Sequence, residues 1–312
     1  MTSPVRAAME PTVDTSGIPY IDGRIPFKGY STWYRVYGEA ESSGRLPLLC
    51  LHGGPGGCYD GLEPLKAMLA TGRRVIFYDQ LGCGLSSLPE RHPEMWTVDL
   101  YIEEVETVRR ALGLDQVHLL GASRGGMLAM SYMLTRPEGI ASLTLASSPA
   151  SIPQWVAEAN RLREKLPSDV QAALLKHEAD GTFEDPEYVA ATRDFYRRHV
   201  CRLDPYPDFL QRIFDKVGAN PEVYDTMNGP SEFHVIGTLS DWDVRNRLDE
   251  IDAPTLVTSG RYDEATEVIA GTVHDGIRGS EWVVFEESSH FAHAEEPERY
   301  LQVLGEFLAR HD

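Results

Sequence analysis

Short apolar runs recur along this chain with helix-length amphipathic stretches between them, and that alternation calls for a mostly parallel sheet covered on both faces. The runs that read as strands are Leu46–Leu51, Arg74–Tyr78, Val117–Leu120, Leu143–Ala146, Thr255–Thr258 and Trp282–Phe285. Ahead of them, Ile18–Ile25 and Tyr30–Tyr37 flank the polar Pro26-Phe-Lys-Gly and read as an antiparallel hairpin. Thr97 can cap a helix that puts Val98, Tyr101, Ile102, Val105, Val108 and Leu112 on one face, and Gly113 ends it. Another helix begins near Glu296-Pro297 and buries Leu301, Leu304 and Phe307.

The rhythm breaks between about Ser151 and Leu239. That stretch has helical periodicity and turn signals (Pro167-Ser, Asp180-Gly, Glu184-Asp-Pro) but no buried strand, and the strand pattern resumes at Pro254. Helices inserted between two strands would lie over the carboxyl edge of the sheet, where open α/β sheets bind ligands. The expected organisation is a loose polar leader over 1–16, an α/β core over 17–150 and 242–312, and a helical cap over 151–241.

The motif at the centre of this frame is Gly121-Ala-Ser123-Arg-Gly125-Gly126, which follows Val117-His-Leu-Leu directly and leads into the helical Met127–Leu134. Strand, tight turn and helix together give G-x-S-x-G its meaning, because the turn projects the serine hydroxyl at the top of the sheet. Serine is a poor nucleophile until a base takes its proton. This α/β-hydrolase arrangement predicts an acid and then a histidine later in the chain, each just after a strand. Asp263 follows Thr255–Thr258 and His290 follows Trp282–Phe285. Asp263 would hold the imidazole in the right tautomer, and His290 would act first as base and then as acid. Asp241, Asp243 and Asp252 precede the Thr255 strand, at its wrong end; His293 lies further into the loop than His290.

After the Leu46–Leu51 run comes His52-Gly53-Gly54-Pro55-Gly56, a turn that can aim backbone N–H groups at an oxyanion. Gly54 N–H and Arg124 N–H are the expected pair, and His52 is expected to pin the loop by hydrogen bonding.

Composition narrows the partners. The 312 residues carry 48 acidic and 29 basic side chains for a formal net charge of −19, which argues against nucleic acid and anionic membranes. Four cysteines show no C-x-x-C pair and read as reduced thiols of a cytoplasmic enzyme. No apolar run reaches the roughly eighteen residues of a membrane span.

Five segments carry a more specific likeness: His52-Gly-Gly-Pro-Gly56, Tyr78-Asp-Gln-Leu-Gly-Cys-Gly-Leu-Ser86, Gly121-Ala-Ser-Arg-Gly-Gly126, Met227-Asn-Gly-Pro-Ser-Glu-Phe233 and Glu295-Glu-Pro-Glu-Arg-Tyr300. From about residue 20 onward, the chain resembles the proline iminopeptidase family, nearest its branch of tricorn-interacting aminopeptidases and L-amino acid amidases. The resemblance implies an α/β-hydrolase without metal or cofactor that releases an N-terminal residue, often proline, from a small peptide or amino acid amide. It also implies that Glu232 and Glu264 hold the substrate's α-ammonium. Two carboxylates converging near the nucleophile would bind a cation and exclude chains that continue N-terminally.

Arg124 departs from the family pattern, which has an aromatic residue after the nucleophile. Two roles are open to it: pairing with a cap carboxylate, or recognising an acidic or carbonyl group on the leaving side. Competing functions are an esterase or lactonase on the same triad, which would leave the two glutamates idle, and a non-catalytic ligand receptor. Epoxide hydrolases and dehalogenases of this fold carry aspartate at the elbow, where this chain has Ser123.

Overall fold

A computed structural model describes residues 6–7, 17–38, 44–90 and 92–312. Most of the expected 1–16 leader lies outside the described residues; Arg6–Ala7 pairs in parallel with Leu203–Asp204. The main sheet has eight strands: β1 (Tyr20–Phe27), β2 (Tyr30–Tyr37), β3 (Leu48–Leu51), β4 (Val75–Asp79), β5 (Val117–Ala122), β6 (Ile140–Ala146), β7 (Thr255–Gly260) and β8 (Glu281–Phe285). Across the sheet they run β1-β2-β4-β3-β5-β6-β7-β8, with β2 antiparallel to both its neighbours and every other pairing parallel. The α/β-hydrolase expectation is met.

Alternation within the strands explains why both faces are covered. Leu49, Ile76, Leu119 and Val257 point into one apolar cluster, while their neighbours Leu48, Phe77, Leu120 and Leu256 point into another. The first cluster is closed by α1 (Val98–Ala111) and α2 (Arg124–Met133), the second by a 3-10 segment at Tyr59–Thr71 and the C-terminal helix. Thr97 Oγ1 accepts from Leu100 N at 3.2 Å, a cap worth about 1 kcal/mol.

Strand ends shift by one to three residues from the apolar runs. β6, for example, starts at Ile140, and the hairpin turns at Lys28-Gly29 because β1 continues through Phe27. Between β6 and β7 lie α3 (Ile152–Arg163), α4 (Ser168–Asp180), α5 (Pro186–His199), α6 (Asp208–Ala219) and α7 (Glu222–Met227). This helical insertion has a small core of its own, with Leu174, Tyr188, Phe195 and Phe233 buried together. After β7 comes α8 (Glu267–Gly276); after β8 come α9 (Ala292–Glu295) and α10 (Pro297–Ala309), the latter burying Leu304 and Phe307.

Candidate active site

The turn from β5 into α2 is sharp enough to hold Ser123 at φ 54°, ψ −124°, a conformation that costs a non-glycine residue roughly 1–3 kcal/mol. Its N–H donates to Ala146 O of β6 at 2.8 Å, so the neighbouring strand anchors the strained residue. The flanking glycines are required by close approach. A Cβ on Gly121 would collide with the Gly125 carbonyl, and one on Gly125 with the Leu51 carbonyl.

Asp263 and His290 meet at the carboxyl ends of β7 and β8. The His290 Nδ1–Asp263 Oδ1 distance is 2.7 Å, and Asp263 also accepts from Ala265 N at 2.8 Å and Gly260 N at 3.3 Å. The carboxylate is thereby fixed from three directions, and it fixes the ring with Nδ1 as donor. Burial works against charge on His290, but Asp263, Glu264 and Glu232 outweigh it and raise the imidazole to about 9. Trp155 packs edge-on against the ring, 6.1 Å between centroids.

The glycine loop after β3 abuts the elbow. A Cβ on Gly53 would lie 3.0 Å from Ser123 Cβ and 3.5 Å from Arg124 N. Arg124 N–H belongs to the first turn of α2, whose donors lack intrahelical acceptors. His52 holds the loop: its Nε2 accepts from Gln80 N at 3.0 Å, and its Nδ1 lies 2.9 Å from Gly53 O. A carbonyl can only accept and an amide N–H only donate, so this ring is neutral with the proton on Nδ1. Burial lowers it to about 4, in agreement.

Ser123, Gly54, His290, Glu232 and Glu264 line one cavity of about 380 Å³. Glu232 Oε1 accepts from Tyr224 Oη at 2.7 Å, while Glu232 Oε2 is buried with no protein partner. Glu264 Oε2 is in the same condition, and Glu264 Oε1 lies 3.8 Å from His290 Nδ1. Burial raises the Glu264 carboxyl well above its ordinary value; His290 opposes that rise, and Glu232 adds to it. A buried carboxylate oxygen without a donor costs roughly 1–3 kcal/mol, a cost that a donor or cation placed beside it would relieve.

The Arg124 side chain does not pair with a cap carboxylate among the described residues. Its Nη2 donates to Asn228 Oδ1, a neutral amide rather than a carboxylate, and the side chain faces a separate small cavity behind the elbow. Asn228 Nδ2 in turn donates to Ser231 O at 2.9 Å, and Trp155 Nε1 donates to Glu232 O at 2.6 Å. Arg124 thus ties the nucleophile turn to the segment that carries Glu232. Burial lowers its pKa, with Glu232, Tyr224 and Glu264 acting the other way.

The remaining candidates are elsewhere. His293 Nε2 lies 2.7 Å from Gly61 O, and burial lowers the ring to about 4. Asp243 is engaged by Arg245 and Ser151. His177, Asp185 and Glu187 bring possible metal-ligating atoms within 4.8 Å of one another on α4 and α5. Each has a structural task there, however: Asp185 caps α5, Glu187 pairs with Lys176, and His177 Nδ1 lies 2.6 Å from Thr182 Oγ1. Tyr196, Tyr224 and Trp155 were not legible as site residues, because helical periodicity marks them only as apolar positions. No helix among the described residues is long and apolar enough to cross a membrane.

Comparison with known proteins gives a consistent result. The family model of the α/β hydrolase fold matches residues 47–297. A proline iminopeptidase of Lactobacillus helveticus is 40% identical over 294 residues, covering 94% of this chain and 99% of that protein. The crystal structure of a Mycobacterium smegmatis proline iminopeptidase superposes with a TM-score of 0.88 at 42% identity, over 93% of this chain and 98% of the other. The crystal structure of VinJ gives 0.91 at 44% identity, over 94% and 99%.

Proposed function

The chain belongs to the proline iminopeptidase family of α/β-hydrolases and is a hydrolase of the aminopeptidase type; we propose that it cleaves the amide bond after an N-terminal residue bearing a free amine, through an acyl-enzyme on Ser123. In this reading residues 17–150 and 242–312 form the catalytic core and 151–241 the cap. Glu232 from the cap and Glu264 from the core receive the α-ammonium of a small peptide or amino acid amide, proline among the accepted residues. The scissile carbonyl then lies over Ser123, with its oxygen toward the N–H groups of Gly54 and Arg124.

His290 takes the Ser123 proton as the hydroxyl adds to the carbonyl carbon. It then gives that proton to the departing nitrogen, which leaves as a neutral amine. Water repeats the sequence on the ester, with His290 again as base, and frees the amino acid. Asp263 holds the ring and offsets its transient charge throughout. No step calls on a metal or cofactor. The four cysteines are buried free thiols, which supports a reducing cytoplasmic setting.

One observation carries the amine assignment: two buried carboxylate oxygens, one from each side of the cavity, have no protein donor beside the Asp263–His290 pair. An esterase or lactonase would gain nothing from them. The test is a panel of prolyl-, alanyl- and N-acetylprolyl-anilides beside a p-nitrophenyl ester, with Ser123→Ala as control. Cleavage confined to the free-amine anilides is expected. Equal rates on free and N-blocked substrates would overturn the amine assignment.

A further inference from the structure

Helix α6 puts Leu210, Ile213, Phe214 and Val217 at the i, i+3, i+4, i+7 spacing of a helix's core-facing stripe. Such a stripe is ordinarily sealed against other side chains. Here Leu210 is sealed with Cys201 and Leu203, and the half-buried Ile213, Phe214 and Val217 join it in lining the cavity that holds Ser123. The helix is fastened in that position from a different face: Arg212 Nε meets Asp60 Oδ1 at 2.6 Å, Arg212 Nη2 meets Glu63 Oε2 at 3.0 Å, and Lys216 pairs with Asp60. Those ion pairs aim the stripe without covering it.

The adjoining wall is apolar too. Leu62, Val200 and Phe291 line the cavity. A Cβ at Gly61 would come within 2.9 Å of Ile213 Cδ1 and 3.8 Å of Phe291 Cε1, so Gly61, Ile213 and Phe291 converge. Phe291 directly follows His290, and their rings lie 5.8 Å apart. The departing nitrogen takes its proton from His290, so whatever is bonded to that nitrogen extends along this wall.

We propose that the α6 stripe, Gly61 and Phe291 form a leaving-group channel that selects apolar amines, so that favoured substrates are aminoacyl amides of hydrophobic amines rather than peptides continuing in charged residues. The inference rests on the free-amine amidase reading above and deepens it. Apolar burial near 0.8 kcal/mol per methylene sets the scale of the selection.

The test is kcat/KM for prolinamide and its N-butyl, N-hexyl and N-octyl derivatives, alongside prolyl-aspartate. A rise of about two- to fourfold per methylene up to hexyl is expected, with prolyl-aspartate well below the butyl compound. In Gly61→Leu, which narrows the channel, the hexyl-to-prolinamide ratio should fall at least about tenfold, and Ile213→Asp should lower the same ratio. Each ratio is taken within one protein, so a loss of folded enzyme does not imitate the effect. A flat length series, or prolyl-aspartate cleaved as well as the hexylamide, would overturn the channel while leaving the amidase reading intact. So would a Gly61→Leu loss that follows the size of the N-terminal residue instead of the leaving group. Failure to cleave prolinamide and all its derivatives would instead overturn the free-amine reading, and the channel with it.

Discussion

The two sides of the active-site cavity treat their polar groups differently. On the sheet side, Asp263 accepts from His290, Ala265 and Gly260, and both nitrogens of His52 are engaged. By contrast, Glu232 Oε2 of the helical insertion, and Glu264 Oε2 and Arg124 Nη1 of the core, are buried with no protein partner among the described residues. A saturated group is held still, and catalytic geometry requires that. An unsaturated buried group stores a cost that a ligand of the right charge relieves. The proposed mechanism uses the saturated groups for chemistry and the open ones for recognition.

Substitutions can break that division. On the saturated side the losses should be large and indifferent to substrate. Ser123→Ala should lower kcat/KM by a thousandfold or more for anilide and ester alike. Asp263→Asn should cost about 10⁴-fold in kcat, since the amide would favour the wrong tautomer of His290. On the open side the loss should be smaller and selective. Glu232→Gln is expected to lower kcat/KM for free-amine anilides about ten- to a hundredfold and to spare a small neutral ester. If the ester suffered equally, Glu232 would belong to the catalytic geometry and the contrast would collapse.

The pH dependence sharpens the same contrast. In the proposed mechanism His290 can act as base only when neutral, and in the free protein its pKa is raised to about 9. For a neutral ester, kcat/KM should therefore rise with pH through about 9. A bound ammonium places positive charge beside Glu232 and Glu264, which disfavours imidazolium, so the limb in kcat for amine substrates should lie lower. Glu264→Gln removes one of the carboxylates that raise His290, and the ester limb should move down. An unmoved limb would mean Glu264 is electrically silent toward His290.

The smallest expected effect is on folding. Asp263 is well supplied with donors and Glu264 is not, so Glu264→Gln should leave stability unchanged or raise it by about 1 kcal/mol. Thermal unfolding of the two proteins checks this. A clear fall would show that the Glu264 charge is satisfied in a way the hydrogen bonds do not reveal.

The saturated side was also the legible one. Strand ends, a glycine turn and the chain order of serine, acid and histidine are local signals, and they point to Ser123, Asp263 and His290. The Tyr59–Thr71 segment leaves no helical signature in the sequence because a 3-10 helix with Pro64 inside it lacks a 3.6-residue period. The Arg124–Asn228 bond joins residues 104 apart, and no spacing rule reaches across such a gap. Tyr224 and Tyr196 become site residues only when the insertion folds back over the sheet. The α6 stripe has the periodicity of any core-facing helix, and periodicity does not tell a face that packs from one that lines a cavity.

The open pair of carboxylates is the central claim, and one comparison addresses it most directly. Proline p-nitroanilide and its carbocyclic isostere, cyclopentanecarboxylic acid p-nitroanilide, share shape and leaving group and differ in the amine. The expected kcat/KM ratio in favour of proline is about a hundredfold or more, shrinking toward unity in the Glu232→Gln, Glu264→Gln double variant. A ratio near one in the unaltered protein would contradict the assignment of these glutamates to the substrate's amine.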